Sequence, residues 1–262
     1  MNKVVYLDAD FVIKTSKIQV DSSTLFDKVL ELPYSFRITN IVLSEIKFDL
    51  NKKLATLVLN GKLSVVRLAD CFEELTKTFD EKTIENIALS TIKEISSEIC
   101  GDDTLYNTYF KKLETNQILG DSLKHFSEEL ENAIRRVPKD NNIGEITTLL
   151  SMSLTNRLEN ITVISLLSHD SQARSCVLNL PENINSFDCY SCFHLLKINE
   201  ILTYTEAKKY VNRWKTVFPH NNTVKIIENN RSQGVDFLDF VIYLYKNSNY
   251  SILRNGLLKK VS

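Results

Sequence analysis

The sequence predicts an α/β protein, a three-layer α/β/α sandwich built on a mostly parallel sheet. Three observations predict it. The apolar runs Val4–Leu7 and Thr162–Leu167 are continuous rather than alternating, as in strands buried on both faces. Each run reaches an acid at or just beyond its carboxyl end, Asp8 and Asp170. Between them, residues 70–137 carry a helical period with almost no strand signal.

The elements follow in order. A strand at 3–8 leads to a helix around 22–32, with Asp21, Ser22 and Ser23 as capping candidates. A short strand at 36–38 feeds a helix over 42–59, with Thr39 or Asn40 before it and Asn60-Gly61 closing it. A strand follows at 63–68. In the helical stretch, Ile84, Ile87, Ala88, Ile92, Ile95 and Ile99 form one apolar stripe, broken by Gly101-Asp102-Asp103. Further helices are expected at 105–113 and 123–134, with Gly120-Asp121 between them. A helix from Gly144, a strand at 161–167 and a strand at 184–188 rebuild the sheet. The pattern changes near residue 198. Beyond it, helices are expected at 206–218 and 235–245, with an extended piece at 224–227. The expected division is 1–198, with a helical insertion at about 70–140, and a small α-rich appendage at 199–262.

Bulk composition sets bounds. A chain of 262 residues supports one enlarged domain or two small ones. Lys+Arg is 32 against Asp+Glu 33, so nucleic-acid binding would need a local basic face rather than a basic total. No apolar run reaches membrane-spanning length, and Asp8 interrupts the first run too early for a signal core. Five cysteines without framework spacing indicate a reducing compartment, so a cytoplasmic location and no membrane contact are expected.

The acids carry the chemistry. In open α/β sheets ligands bind outside the carboxyl ends of the strands, where Asp8 stands. Glu45 and Glu145 sit where helices are expected to begin, and Asp170 ends the second apolar run. A carboxylate taken from water needs a cation beside it. Hard oxygen ligands suit Mg²⁺ or Mn²⁺.

In this order, Asp8, Glu45, Gly144-Glu145 and Ser168-His169-Asp170 resemble the PIN-domain nucleases, the family that includes VapC-type toxins and RNA-processing ribonucleases. The resemblance covers roughly residues 1–70 and 140–198. It implies a central strand at 3–8 and the strand order 3-2-1-4-5. It also implies Asp8, Glu45, Glu145 and Asp170 as catalytic residues, with Asp8, Glu145 and Asp170 holding the metal. Ser168 and Asp10 are auxiliary, and Arg174, Arg135 and Arg136 are the residues expected to meet nucleic acid. The implied activity is Mg²⁺- or Mn²⁺-dependent cleavage of RNA, with DNA as the other polymer. An antitoxin or a second copy of the chain is the implied protein partner. Two features depart from the family: Asp10 stands where it usually has Asn or Ser, and the helical insertion is long.

Each residue also has a structural reading. Asp8 at a strand end can cap a helix. Glu45 and Glu145 can complement helix dipoles. His169 should face away from Asp170 on an extended strand. Cys189-x-x-Cys192 with His194 lacks a second paired motif, which makes core thiols the expectation over zinc. Glu128, Glu129 and Glu131 read as a solvated helix face, and Arg135-Arg136 and Lys259-Lys260 as ordinary surface charge. Other functions also fit parts of the pattern. Asp8-x-Asp10 resembles the motif of metal-dependent glycosyltransferases. With Asp102-Asp103 it resembles that of haloacid-dehalogenase-like phosphatases. A PIN-like module that binds RNA or protein without cleaving is the third alternative.

Overall fold

The structure, a computed structural model, describes residues 2–118, 122–138, 143–180, 182–246 and 250–260, without the side chains at 48, 49 and 115–118. Gly120 and Asp121, named above, lie outside the described residues.

The chain opens with β1 (Asn2–Leu7) and turns at Asp8 into α1 (Ala9–Ser16). The sequence pattern gives no sign of α1. Phe11, Val12 and Ile13 favour strands locally, but Phe11 and Val12 are buried in the core when helical. A small hairpin, β2 (Gln19–Val20) and β3 (Ser23–Thr24), precedes α2 (Leu25–Val29). Thr24 caps α2 with Asp27 in a reciprocal capping box, one residue beyond the expected candidates.

The next strand is β4 (Ser35–Thr39). The single helix expected at 42–59 is two, α3 (Asn40–Glu45) and α4 (Phe48–Leu59). Ile46 and Lys47 between them are extended, and the Asn51 side-chain amide donates to the Ile46 carbonyl at 2.8 Å. After β5 (Leu63–Val66) come α5 (Leu68–Leu75), α6 (Glu81–Cys100), α7 (Thr104–Tyr109), α8 (Lys111–Ile118) and α9 (Leu123–Arg136). Asp80 caps α6 at its start, and Gly101, at φ 74°, ends it in the left-handed region. The sheet resumes with α10 (Ile143–Thr155), β6 (Ile161–Leu167), α11 (Ser171–Asn179), β7 (Asn185–Phe187) and α12 (Cys192–Ile198). The remaining elements are α13 (Tyr204–Val217), β8 (Thr223–Glu228), β9 (Arg231–Asp236), α14 (Phe237–Lys246), β10 (Tyr250–Ile252) and β11 (Leu258–Lys260).

The main sheet has five strands in the order β5-β4-β1-β6-β7, and every described pairing in it is parallel. The strand at 3–8 is therefore central. Its side chains alternate between two apolar cores, Val5 and Leu7 into one, Val4 and Tyr6 into the other. In β6, Val163 and Leu166 join the second core although they are three residues apart. A register shift between Val4 and Val5 makes this consistent with a two-residue period.

The second core contains the insertion. Ile84, Ala88, Ile92 and Ile95 are buried there with residues of α5, α9 and α10, while Ile87 and Ile99 are partly buried. The apolar stripe of α6 thus packs on the body of the protein. The first core contains the last sixty residues. Trp214, Phe237, Phe240 and Leu258 pack in one cluster with Val5, Leu7 and Phe11. This segment is not α-rich: β8–β11 form a four-stranded sheet in the order β10-β11-β8-β9 beside two helices. A hairpin joins β8 to β9 through Asn229 and Asn230, both at positive φ, a conformation Asn tolerates in two-residue turns.

The segment also closes the outer side of β7. The Ser186 N–H donates to the Arg254 carbonyl at 2.7 Å, and the Arg254 guanidinium donates to the carbonyls of Ile184 (2.9 Å) and Glu182 (3.2 Å). Gly256, at φ 77°, lies against Ser191, where a Cβ would come 2.5 Å from the hydroxyl. Among the described residues, no helix is long and apolar enough to cross a membrane.

Candidate functional site

The acids meet at the carboxyl edge of the sheet. A cleft of about 790 Å³ is lined by Asp8, Asp10, Glu45, Glu145 and Asp170, with Arg135, Gly144 and the aliphatic side chains of Ile13, Ile41 and Ile143. It lies beyond the end of the central strand, where parallel sheets place ligands.

Asp8 occupies the N-cap position of α1, yet its side chain makes no capping bond. Its Oδ2 instead accepts from the Ser168 hydroxyl at 2.9 Å. Ser168 is fully buried, and its Oγ also accepts from the Asp170 N–H at 3.0 Å. One hydroxyl therefore ties the ends of β1 and β6 together. Burial raises the Asp8 pKa; the Ser168 bond opposes that rise, and the charges of Asp10 and Asp170 add to it.

Glu145 stands in the first turn of α10. Its Oε2 is buried without a hydrogen-bond partner among the described residues. Burial, then the charges of Asp170, Asp8 and Glu45, push its pKa up to about 8. Glu45 ends α3 instead of opening a long helix, because the chain breaks at Ile46. Its carboxylate lies over Gly144: a Cβ there would stand 2.8 Å from Oε1 and 3.1 Å from Oε2. Glycine at 144 makes room for an acid side chain.

Asp170 has a structural role besides its place in the cleft. Its Oδ1 caps α11, accepting from the Gln172 N–H at 2.6 Å and the Ala173 N–H at 3.2 Å. The capping interpretation rejected for Asp8 holds for Asp170. Asp10 pairs with Lys14 at 2.8 Å, one turn along α1.

No family model, curated protein or solved structure matches the chain.

The donor set fits a hard divalent cation in chemistry: carboxylate oxygens, one of them buried and unpartnered. It is not a ready-made cage. Among the described residues, no three His, Cys, Asp or Glu side chains are grouped closely enough to hold a metal ion. Mutual repulsion of the acids opposes a closer approach.

The structure separates the three arginines expected to meet nucleic acid. Arg135 lines the cleft and Arg136 does not. Arg174 is turned inward, donating to the Ser168 carbonyl at 3.1 Å and standing 3.9 Å from Asp188. It braces the strand end that carries Ser168. His169 lies off the cleft, packed against Tyr190 and Trp214 with centroids 5.4 and 6.2 Å away. Burial, followed by the charge of Lys14, lowers its pKa. Cys189 and Cys192 are fully buried thiols, and the Cys192 Sγ donates to the Cys189 carbonyl. Asp102 borders a separate hollow with Cys100 and Tyr109, so the acidic pair invoked for a phosphatase does not line the Asp8 cleft. Sequence reasoning missed the part played by Arg37. This half-buried arginine donates to Thr155, which also bonds the Tyr6 hydroxyl at 2.8 Å. A charged residue set between Phe36 and Ile38 in a short sheet strand was the available signal.

Proposed function

We propose that the chain is a metal-dependent endoribonuclease of PIN-like, three-layer build. Residues 1–198 form the nuclease unit, 70–140 its insertion and 199–262 an accessory segment. The observation that carries this reading is the convergence of four acids from separate elements on one cleft, with a Glu145 oxygen buried and unpartnered. The parallel order with β1 at its centre agrees with the arrangement that the sequence resemblance implies. Asp8, Glu145 and Asp170 would hold Mg²⁺ or Mn²⁺, and Glu45 would orient the attacking water. When bound, such an ion activates water and stabilises the leaving oxygen of a phosphodiester.

The chain's own groups do the positioning. The Ser168 hydroxyl fixes the Asp8 carboxylate in one orientation. The α11 cap fixes Asp170. The absent side chain at Gly144 admits Glu45. Without a cation, Glu145 holds a proton up to about pH 8, which lowers the repulsion in the cleft.

The test uses single-stranded RNA and DNA with the intact protein, in Mn²⁺, Mg²⁺ or EDTA. Metal-dependent internal cleavage is expected, and Asp8→Asn should reduce it by more than the roughly 10- to 100-fold typical of groups that only support a ligand. Mn²⁺ should raise the Tm of the wild type more than that of Asp8→Asn. Equal metal-induced shifts, or no cleavage of either polymer, would refute the proposal.

A further inference from the structure

The cleft contains one described cation. Arg135 lines it together with five acids, and among the described residues it takes part in no salt bridge. It comes from the insertion, not from the sheet or from the helices that carry the acids. Its position is set by its neighbours. Ile134 is fully buried, Val137 nearly so, and Phe126, Leu130 and Ala133 anchor the rest of α9 against the second core. The backbone at 135 is thereby fixed while the side chain is exposed. Arg136, next in the chain and also exposed, is not among the lining residues.

We infer that Arg135 binds a phosphate of the substrate chain adjacent to the one at the acids, which makes the substrate an extended polynucleotide strand rather than a small phosphate ester. The inference rests on the phosphodiester-cleaving reading of the cleft. A guanidinium matches two phosphate oxygens with paired donors. Placed across an acidic cleft, it gives a polyanion an attractive contact where the acids alone repel it. Among the described lining residues Arg135 is the one cation, and Ile13, Ile41 and Ile143 offer a phosphate no donor. A purely structural alternative exists, because a cation in the last turn of α9 complements the helix dipole. Arg136 has that role equally, and so separates the two explanations.

The experiment measures binding apart from cleavage. A short fluorescein-labelled single-stranded oligoribonucleotide is titrated with the intact protein in Ca²⁺ and in EDTA, over a range of salt. Arg135→Ala should weaken binding roughly two- to tenfold at low salt. It should also flatten the plot of log K against log salt by about 0.7, the value of one phosphate contact on a single strand. Arg135→Lys should restore the slope, because it keeps the charge. Arg136→Ala should match the wild type, and melting temperatures confirm that each variant is folded. An unchanged slope in Arg135→Ala, an equal loss in Arg136→Ala, or no binding by the wild type in either condition overturns the inference. Cleavage in Mn²⁺ is scored separately. Salt-dependent binding through Arg135 without cleavage would sink the nuclease reading and leave the strand-binding assignment standing.

Discussion

Gly144 and Glu45 compete for the same space, and the competition can be measured. The atoms that a Cβ at 144 would meet belong to the far end of a flexible side chain, so Gly144→Ala can relax by moving Glu45. Alanine in a helical turn is favoured over glycine by roughly 0.5–1 kcal/mol. The variant should therefore melt at or slightly above the wild-type temperature, yet show reduced cleavage and a smaller Mn²⁺-induced Tm shift. An unchanged shift would mean that the position of Glu45 is immaterial to the cation. Glu145 gives a pH signature. Its folded pKa is raised to about 8 from an ordinary 4.5. Below 4.5 both states are protonated and nothing is lost. Between these values the unfolded chain releases the proton while the folded chain keeps it, so stability falls as pH rises. Above about 8 the loss is complete. The Tm difference between Glu145→Gln and wild type should grow across this window in the absence of metal, then level off. A difference that stays flat with pH would show that Glu145 is not held in its neutral form.

At the scale of elements, what was legible followed from local signals. Asp8, Glu145 and Asp170 were readable because each stands where an apolar run ends or a helix begins. The strand 161–167 lies where expected, bounded by turn residues and rich in β-branched side chains. The helix α1 was not readable. Its core contacts outweigh the strand preference of Phe11, Val12 and Ile13. The break between α3 and α4 was equally hidden, since neither Gly nor Pro marks it. Burial of Ile46 and the hydrogen bond from Asn51 stabilise it instead. This break sets the place of Glu45, so the least legible local feature governs one member of the candidate site. Strand β9 escaped notice because Arg231-Ser232-Gln233-Gly234 is exposed and lacks alternation. Only the Asn-Asn turn before it gave a signal.

For the whole molecule, the change of pattern near residue 198 does not coincide with a break in the apolar core. Trp214, Phe237, Phe240 and Leu258 share one cluster with the central strand. A fragment ending at 198 would expose that cluster to water, an apolar surface of the kind that drives aggregation. Residues 1–198 expressed alone should accumulate as insoluble protein or melt without cooperativity, and co-expression with 199–262 should recover part of the soluble yield. A monomeric 1–198 fragment with a sharp thermal transition would show that the two segments are independent. The bonds of Arg254 along β7 add a consequence in time. A ribosome makes β7 first and residue 254 roughly seventy residues later, a delay of several seconds at ordinary elongation rates. During that interval the four acids have been synthesised but the flank of the sheet is unsealed. Such an edge is open to pairing with other strands, so a stall in translation between these points would leave a species prone to association, and slow codons there would be costly to the cell.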